Sequence, residues 1–103
     1  MTRVMNPSAA KPVATRKAFG DALKVLGDKD ARVVVLDADL SKSTMSATFA
    51  KAHPSRFFEM GIAEANMLGT ASGLALSGLT PFCCSFACFI TGRFDQIKMS
   101  VAY

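Results

Sequence analysis

Tryptophan is absent from this 103-residue chain, tyrosine and histidine occur once each, and only two of the eight acidic residues are glutamates, Glu59 and Glu64. The three cysteines, Cys83, Cys84 and Cys88, form no C-x-x-C pair, and the single histidine, His53, lies far upstream of them. That spacing excludes a zinc site and a disulfide ladder. Such thiols ordinarily pack as small hydrophobes, and with no signal peptide evident they fit a reducing, cytoplasmic setting. There is no G-x-G-x-x-G, no P-loop and no G-x-S-x-G, so dinucleotide, phosphate-loop and serine-hydrolase readings lack their fingerprints. Charge of either sign is missing from Ala65 to Gly92. A run of that length raises the question of a membrane span, and Gly69-x-x-x-Gly73 would suit helix contact in lipid. Asn66, Thr70, Ser72 and Ser77 dilute its first half, however, and Gly78-Leu79-Thr80-Pro81 cuts it in two. A buried helix followed by a buried parallel strand is the expectation, and no membrane partner.

Half of the residues are hydrophobic and 19% are charged, the balance of a globular chain, and the length allows one small domain. The net charge of +4 is carried by Arg3, Lys11, Arg16 and Lys17, since residues 1–17 hold no acid and the remainder is neutral. Nucleic-acid binding usually leaves a basic stripe on the folded surface. A basic arm without an aromatic residue offers neither that stripe nor a base-stacking platform, so no nucleic-acid partner is expected.

Residues 1–12, with Pro7, Ser8 and Pro12, read as an extended arm, and residues 13–103 as the folded domain. Thr15 is placed to cap a helix running to about Leu26, with Phe19, Ala22, Leu23 and Leu26 on its inner face. Arg32 to Leu36 reads as a central strand, apolar on both faces. The loop Asp37 to Thr44 leads into a short helix through Phe49 and Ala52, ended by Pro54, with His53 a solvated turn residue. A second strand is expected over Arg56–Met60, a helix over Ala63–Ser77, and a third strand over Phe82–Ser85, introduced by Pro81. A last helix starts near Ala87 and is still running at Tyr103. Strand–helix alternation makes the class α/β, a parallel sheet with flanking helices and right-handed crossovers. Three strands are few, and the last helix has no cap, so the domain is expected to be truncated and incomplete.

Ligands of open α/β sheets bind beyond the carboxyl ends of the strands. Here those ends carry Asp37-Ala-Asp39-Leu-Ser41-Lys-Ser43-Thr44, then Gly61-Ile-Ala-Glu64, then Phe86 and Phe89 one turn apart. Each also has an ordinary explanation. A carboxylate in a first helical turn is favoured by the helix dipole. Phe at i, i+3 is a common core pair, and Asp and Ser are common turn residues.

The order of these blocks nevertheless resembles transketolase. The residues concerned are Val13-Ala-Thr-Arg16-Lys17, Ala38-Asp39-Leu40-Ser-Lys-Ser43, Arg56-Phe-Phe-Glu-Met-Gly61-Ile-Ala-Glu64-Ala-Asn-Met67, Ser85-Phe86-Ala-Cys-Phe89 and Thr91-Gly-Arg-Phe-Asp95-Gln96. The resemblance is to the pyrimidine-binding domain that opens the C-terminal half, or the C-terminal subunit of a split enzyme. It implies thiamine diphosphate as cofactor, of which this chain would hold only the pyrimidine half. It implies Glu64 as the catalytic carboxylate, with Phe86, Phe89 and Asp39 also near the cofactor. Arg16 and Ser43 match positions holding the phosphate of sugar phosphate substrates. No Gly-Asp-Gly block occurs, so Mg2+ and the diphosphate are expected on a partner domain or subunit, in a homo- or hetero-oligomer. The implied reaction is ketol transfer between sugar phosphates. A 1-deoxyxylulose-5-phosphate synthase-type fragment is the alternative within the class, and a non-catalytic α/β interaction fragment the alternative outside it.

Overall fold

A computed structural model of the chain describes residues 11–102; residues 1–10 of the arm expected over 1–12, and Tyr103, lie outside them. Three parallel strands, β1 (Val33–Asp37), β2 (Phe57–Glu59) and β3 (Thr80–Cys84), form one sheet in the order β2-β1-β3. All five residues of β1 are buried, as a β-branched run with helices on both faces requires. β3 begins at Thr80, whose N–H donates to Arg32 O at 2.9 Å, so Pro81 lies inside the strand rather than ahead of it. β3 is an edge strand, where a residue without an N–H is tolerated.

Helix α1 (Thr15–Lys29) departs from expectation in both cap and face. Its N-cap is Ala14, with no side-chain capping bond, and Thr15 is already the first helical residue. The buried positions are Gly20, Leu23 and Gly27, while Phe19, Ala22 and Leu26 face outward beside Phe82. Two glycines set this orientation, because α1 packs backbone-first on the segment after β1. A Cβ on Gly20 would lie 2.6 Å from Met45 O, and one on Gly27 would lie 2.5 Å from the Phe49 ring.

After β1 come α2 (Ser41–Thr44) and α3 (Ala47–Ala52), then a 3-10 turn at Pro54–Arg56. His53 is not a solvated turn residue. Arg56 donates to its Nδ1 at 2.8 Å, so its Nε2 carries the proton toward Asp28 Oδ1, also 2.8 Å away. Lys24 and His53 hydrogen bonds hold the Asp28 carboxyl below its ordinary value. Arg56 also donates to the carbonyls of Asp30, Val33 and Gly27, binding the C-terminal end of α1 to the start of β2.

The uncharged stretch resolves into α4 (Glu64–Leu76) and β3. Glu64, Met67, Leu68 and Ala71 form the buried face of α4 at helical spacing. Among the described residues no helix is long and apolar enough to cross a membrane. Leu23, Val33, Val35, Phe49 and Cys84 pack on one side of the sheet; Leu36, Ala38, Met67 and Ala71 pack on the other. The expected single last helix is instead broken into α5 (Ala87–Thr91), α6 (Phe94–Gln96) and a π-type turn at Ile97–Ala102. The break falls at Gly92-Arg93, where a poor helix former precedes a residue at φ −110°, ψ 39°.

Candidate functional site

The carboxyl ends of all three strands meet at one rim. Asp37 closes β1 and is fully buried. Its Oδ1 accepts from Leu40 N at 2.6 Å, and its Oδ2 accepts from Thr44 Oγ1 and Ser46 Oγ, both at 2.9 Å. These bonds fold residues 38–46 back on the strand, fixing Asp39 and Ser43. Asp39 takes a left-handed conformation (φ 63°), which Asp tolerates better than most residues. Its N–H donates to Glu59 Oε1 at 2.8 Å, and Gly61 N donates to the same oxygen at 2.9 Å. Glu59 therefore couples the loop after β1 to the turn leading into α4.

Glu64 is the first residue of α4 and is only 7% exposed. Among the described residues it has no hydrogen-bonding partner for its carboxylate; Arg93 Nη2 stands 3.8 Å from Oε1. The carboxylate opens into a cleft of about 300 Å³ lined also by Ala38, Asp39, Leu40, Ile62 and Phe89. Ile62 is 82% exposed at that cleft, an orientation with no packing benefit within the described residues. Phe86 and Phe89 are not core. Their rings stack with centroids 5.9 Å apart and planes at 21°, and both remain well exposed.

A second, larger cleft of about 540 Å³ lies beside the first and gathers Arg16, Ser43, Thr44, Ser85 and Phe86 among its lining residues. Arg16 and Ser43, far apart in sequence, are thus brought together. Among the described residues Ser85 Oγ, buried there, has no hydrogen-bond partner, a condition that costs stability unless something else supplies the bond. The two clefts share the aromatic pair, Phe86 lining one and Phe89 the other.

Asp37, Ser85 and Arg93 stand at the candidate site, and sequence reasoning did not single them out. Arg93 had one usable signal: it is the first charge after the uncharged stretch. Asp37 and Ser85 had none, because a turn acid and a serine are unremarkable until their surroundings are known. The cysteines divide. Burial pushes the Cys84 thiol up to about 12, with the Asp37 charge adding to it, and burial raises Cys83 as well. Cys88 is exposed, contrary to the expectation that all three pack inside.

Residues 11–103 match the family described as the transketolase pyrimidine-binding domain. Transketolase of Homo sapiens is 51% identical over 89 residues, covering 85% of this chain and 14% of that protein. A putative transketolase C-terminal section of Methanocaldococcus jannaschii is 52% identical over 89 residues, covering 85% of this chain and 28% of that protein. Among solved structures, a split gene transketolase described as an inactive beta4 tetramer superposes with a TM-score of 0.79 at 53% identity, covering 88% of this chain and 31% of the other. The chain spans less than a third of each of these proteins. Parallel sheet, rim geometry and likeness of sequence agree, and the chain belongs to the transketolase pyrimidine-binding domain family.

Proposed function

We propose that residues 13–103, preceded by the arm over 1–12, supply the pyrimidine side of a transketolase-type active site. The enzyme so formed transfers a two-carbon ketol unit from a ketose phosphate to an aldose phosphate. The observation carrying this reading is the Glu64 carboxylate, nearly buried, free of hydrogen bonds from the described residues and open to a cleft beside a stacked Phe pair. A charged group so placed is costly unless a ligand meets it.

These residues fit thiamine diphosphate. When bound, that cofactor supplies a carbon acid whose proton its own aminopyrimidine removes. Glu64 hydrogen-bonds the ring nitrogen opposite the amino group and holds or returns a proton there, which is general acid–base work. Phe86 and Phe89 present a flat apolar wall to the ring, contributing about 0.5–1.5 kcal/mol beyond area burial. Asp39 completes the polar lip of the cleft, and the apolar side chains around it exclude water. Arg16, whose fork meets phosphate oxygens in pairs, and Ser43 hold the sugar phosphate in the larger cleft, where Ser85 Oγ offers a further hydroxyl.

Mg2+ and the diphosphate belong to a partner domain or subunit in this reading, and the assembly is a homo- or hetero-oligomer in a cytoplasmic setting. The Ala14-Thr-Arg-Lys17 helix start and the Ala38-Asp39-Leu40 loop favour ketol transfer over the 1-deoxyxylulose-5-phosphate synthase reaction. The test compares three preparations for thiamine-dependent turnover of sugar phosphates. The chain combined with its diphosphate-binding partner is expected to be active. The chain alone is expected to be inactive, and so is the combination carrying Glu64→Gln. Turnover by the isolated chain would overturn the shared-site reading. Failure to bind thiamine diphosphate with any transketolase diphosphate-binding subunit would leave the non-catalytic interaction fragment.

A further inference from the structure

Arg93 forms an ion pair with Glu64, and the contact has an unusual character. At 3.8 Å it is an ion pair but too long for a hydrogen bond, so it supplies charge without fixing orientation. Its two ends differ in burial: the Glu64 side chain is 9% exposed and the Arg93 side chain 49%. The arginine is rooted at the break between α5 and α6, one turn beyond Phe89, and has solvent into which it can move. A nearly buried carboxylate without hydrogen bonds needs some compensating charge when its cleft is empty. The acids and the buried thiol on the elements around Glu64 do not supply it. Asp39 across the cleft has the same sign, and Asp37 is turned into Thr44 and Ser46. On the neighbouring segments, Cys83 is held neutral by burial and Asp95 has the same sign.

We propose that Arg93 is an exchangeable latch on the ligand-free site: it compensates Glu64 until the pyrimidine ring arrives, then gives up the carboxylate and moves toward solvent. This rests on the reading that Glu64 meets the ring of thiamine diphosphate. Arg93 then opposes cofactor binding, because the ring must compete with a charge contact already made. Its effect is that of a half-exposed ion pair, a factor of about two to five in affinity, and it weakens as salt screens the pair.

Calorimetric titration of thiamine diphosphate into the complete enzyme, this chain with its diphosphate-binding partner, tests the latch. Arg93→Met is expected to bind about two- to fivefold more tightly than the parent at low ionic strength, with the gap closing as salt rises. Arg93→Lys, which keeps a charge, is expected to fall near the parent. Salt dependence due to the diphosphate is common to all arms and cancels in the ratio. In the Glu64→Gln background the carboxylate charge is gone, so adding Arg93→Met should bring no further gain. Unchanged or weaker binding by Arg93→Met, or an equal gain in the Glu64→Gln background, overturns the latch. Parent-like turnover by Glu64→Gln alone is a separate outcome, and it overturns the Glu64 reading itself.

Discussion

The carboxyl end of β1 and the start of α4 each bury a carboxylate, and they treat it in opposite ways. Asp37 is surrounded by donors: one backbone N–H and two hydroxyls meet its oxygens within 2.6–2.9 Å. Glu64 has nearly the same burial, but among the described residues it meets no donor at hydrogen-bond distance and pairs with the half-exposed Arg93. Burial alone therefore does not mark a functional acid. A carboxylate whose lone pairs are used by its own chain is part of the scaffold, and one whose lone pairs face a cleft is available for a ligand.

The largest effect that would break the comparison is catalytic. Glu64→Gln in the assembled enzyme is expected to cost at least about 10²-fold in turnover, close to 2.7 kcal/mol of transition-state stabilisation. Thermal unfolding should show little loss of stability, because no protein hydrogen bond is removed. A large drop in melting temperature would make Glu64 a second scaffold acid. Asp37→Ala should do the converse. It strands Leu40 N, while Thr44 Oγ1 and Ser46 Oγ still reach each other at 3.1 Å, so about 2 kcal/mol of stability should be lost. Urea unfolding reads this directly, and an unchanged midpoint would contradict the assigned role.

A smaller effect belongs to the aromatic wall beside Glu64. Phe89→Leu keeps the site apolar but removes a stacking face, and thiamine diphosphate should bind about two- to tenfold more weakly. Titration of the cofactor checks this, and unaltered affinity would remove the ring from that wall. The smallest expected effects concern Cys84, whose side chain senses the Asp37 end of the sheet. Its thiol, raised from 9.0 to about 12 chiefly by burial, should resist alkylation at pH 8 while exposed Cys88 reacts. The sign for stability follows from the same shift. Below pH 9 the thiol is neutral in both states and costs nothing. Above it the unfolded chain loses a proton that the folded one keeps, so stability falls as pH rises toward 12. Replacing Cys84 by Ala should flatten that alkaline decline, measured as unfolding free energy between pH 8 and 10.

Much of the fold was legible because its signals are local. The β-branched run at Val33–Leu36 needs two covered faces wherever it sits, and the Gly78–Pro81 interruption divides helix from strand without reference to anything distant. The helical spacing of Glu64, Met67, Leu68 and Ala71 likewise lies within one element. The inner face of α1 was misread for an equally physical reason. Its hydrophobic periodicity favoured Phe19, Ala22 and Leu26, but the close approach of Met45 and Phe49 selects the glycine face. Periodicity weighs side-chain polarity and gives glycine no credit for permitting contact.

At the site, the sequence by itself determined which residue types stand at the ends of the strands: Asp39 and Ser43, Glu64, Phe86 and Phe89. Element order places those ends at one rim, because parallel strands joined by right-handed crossovers point the same way. Only the tertiary structure decided the rest. Among the described residues it gave Asp37 three donors and Glu64 none, set Arg93 opposite Glu64, turned His53 from solvent to Asp28, and left Ser85 Oγ unmet beside Arg16 and Ser43. Each of these depends on atoms brought within a few ångströms across many residues of chain. Hydrogen-bond and charge energies change steeply over such distances, and sequence spacing does not specify them.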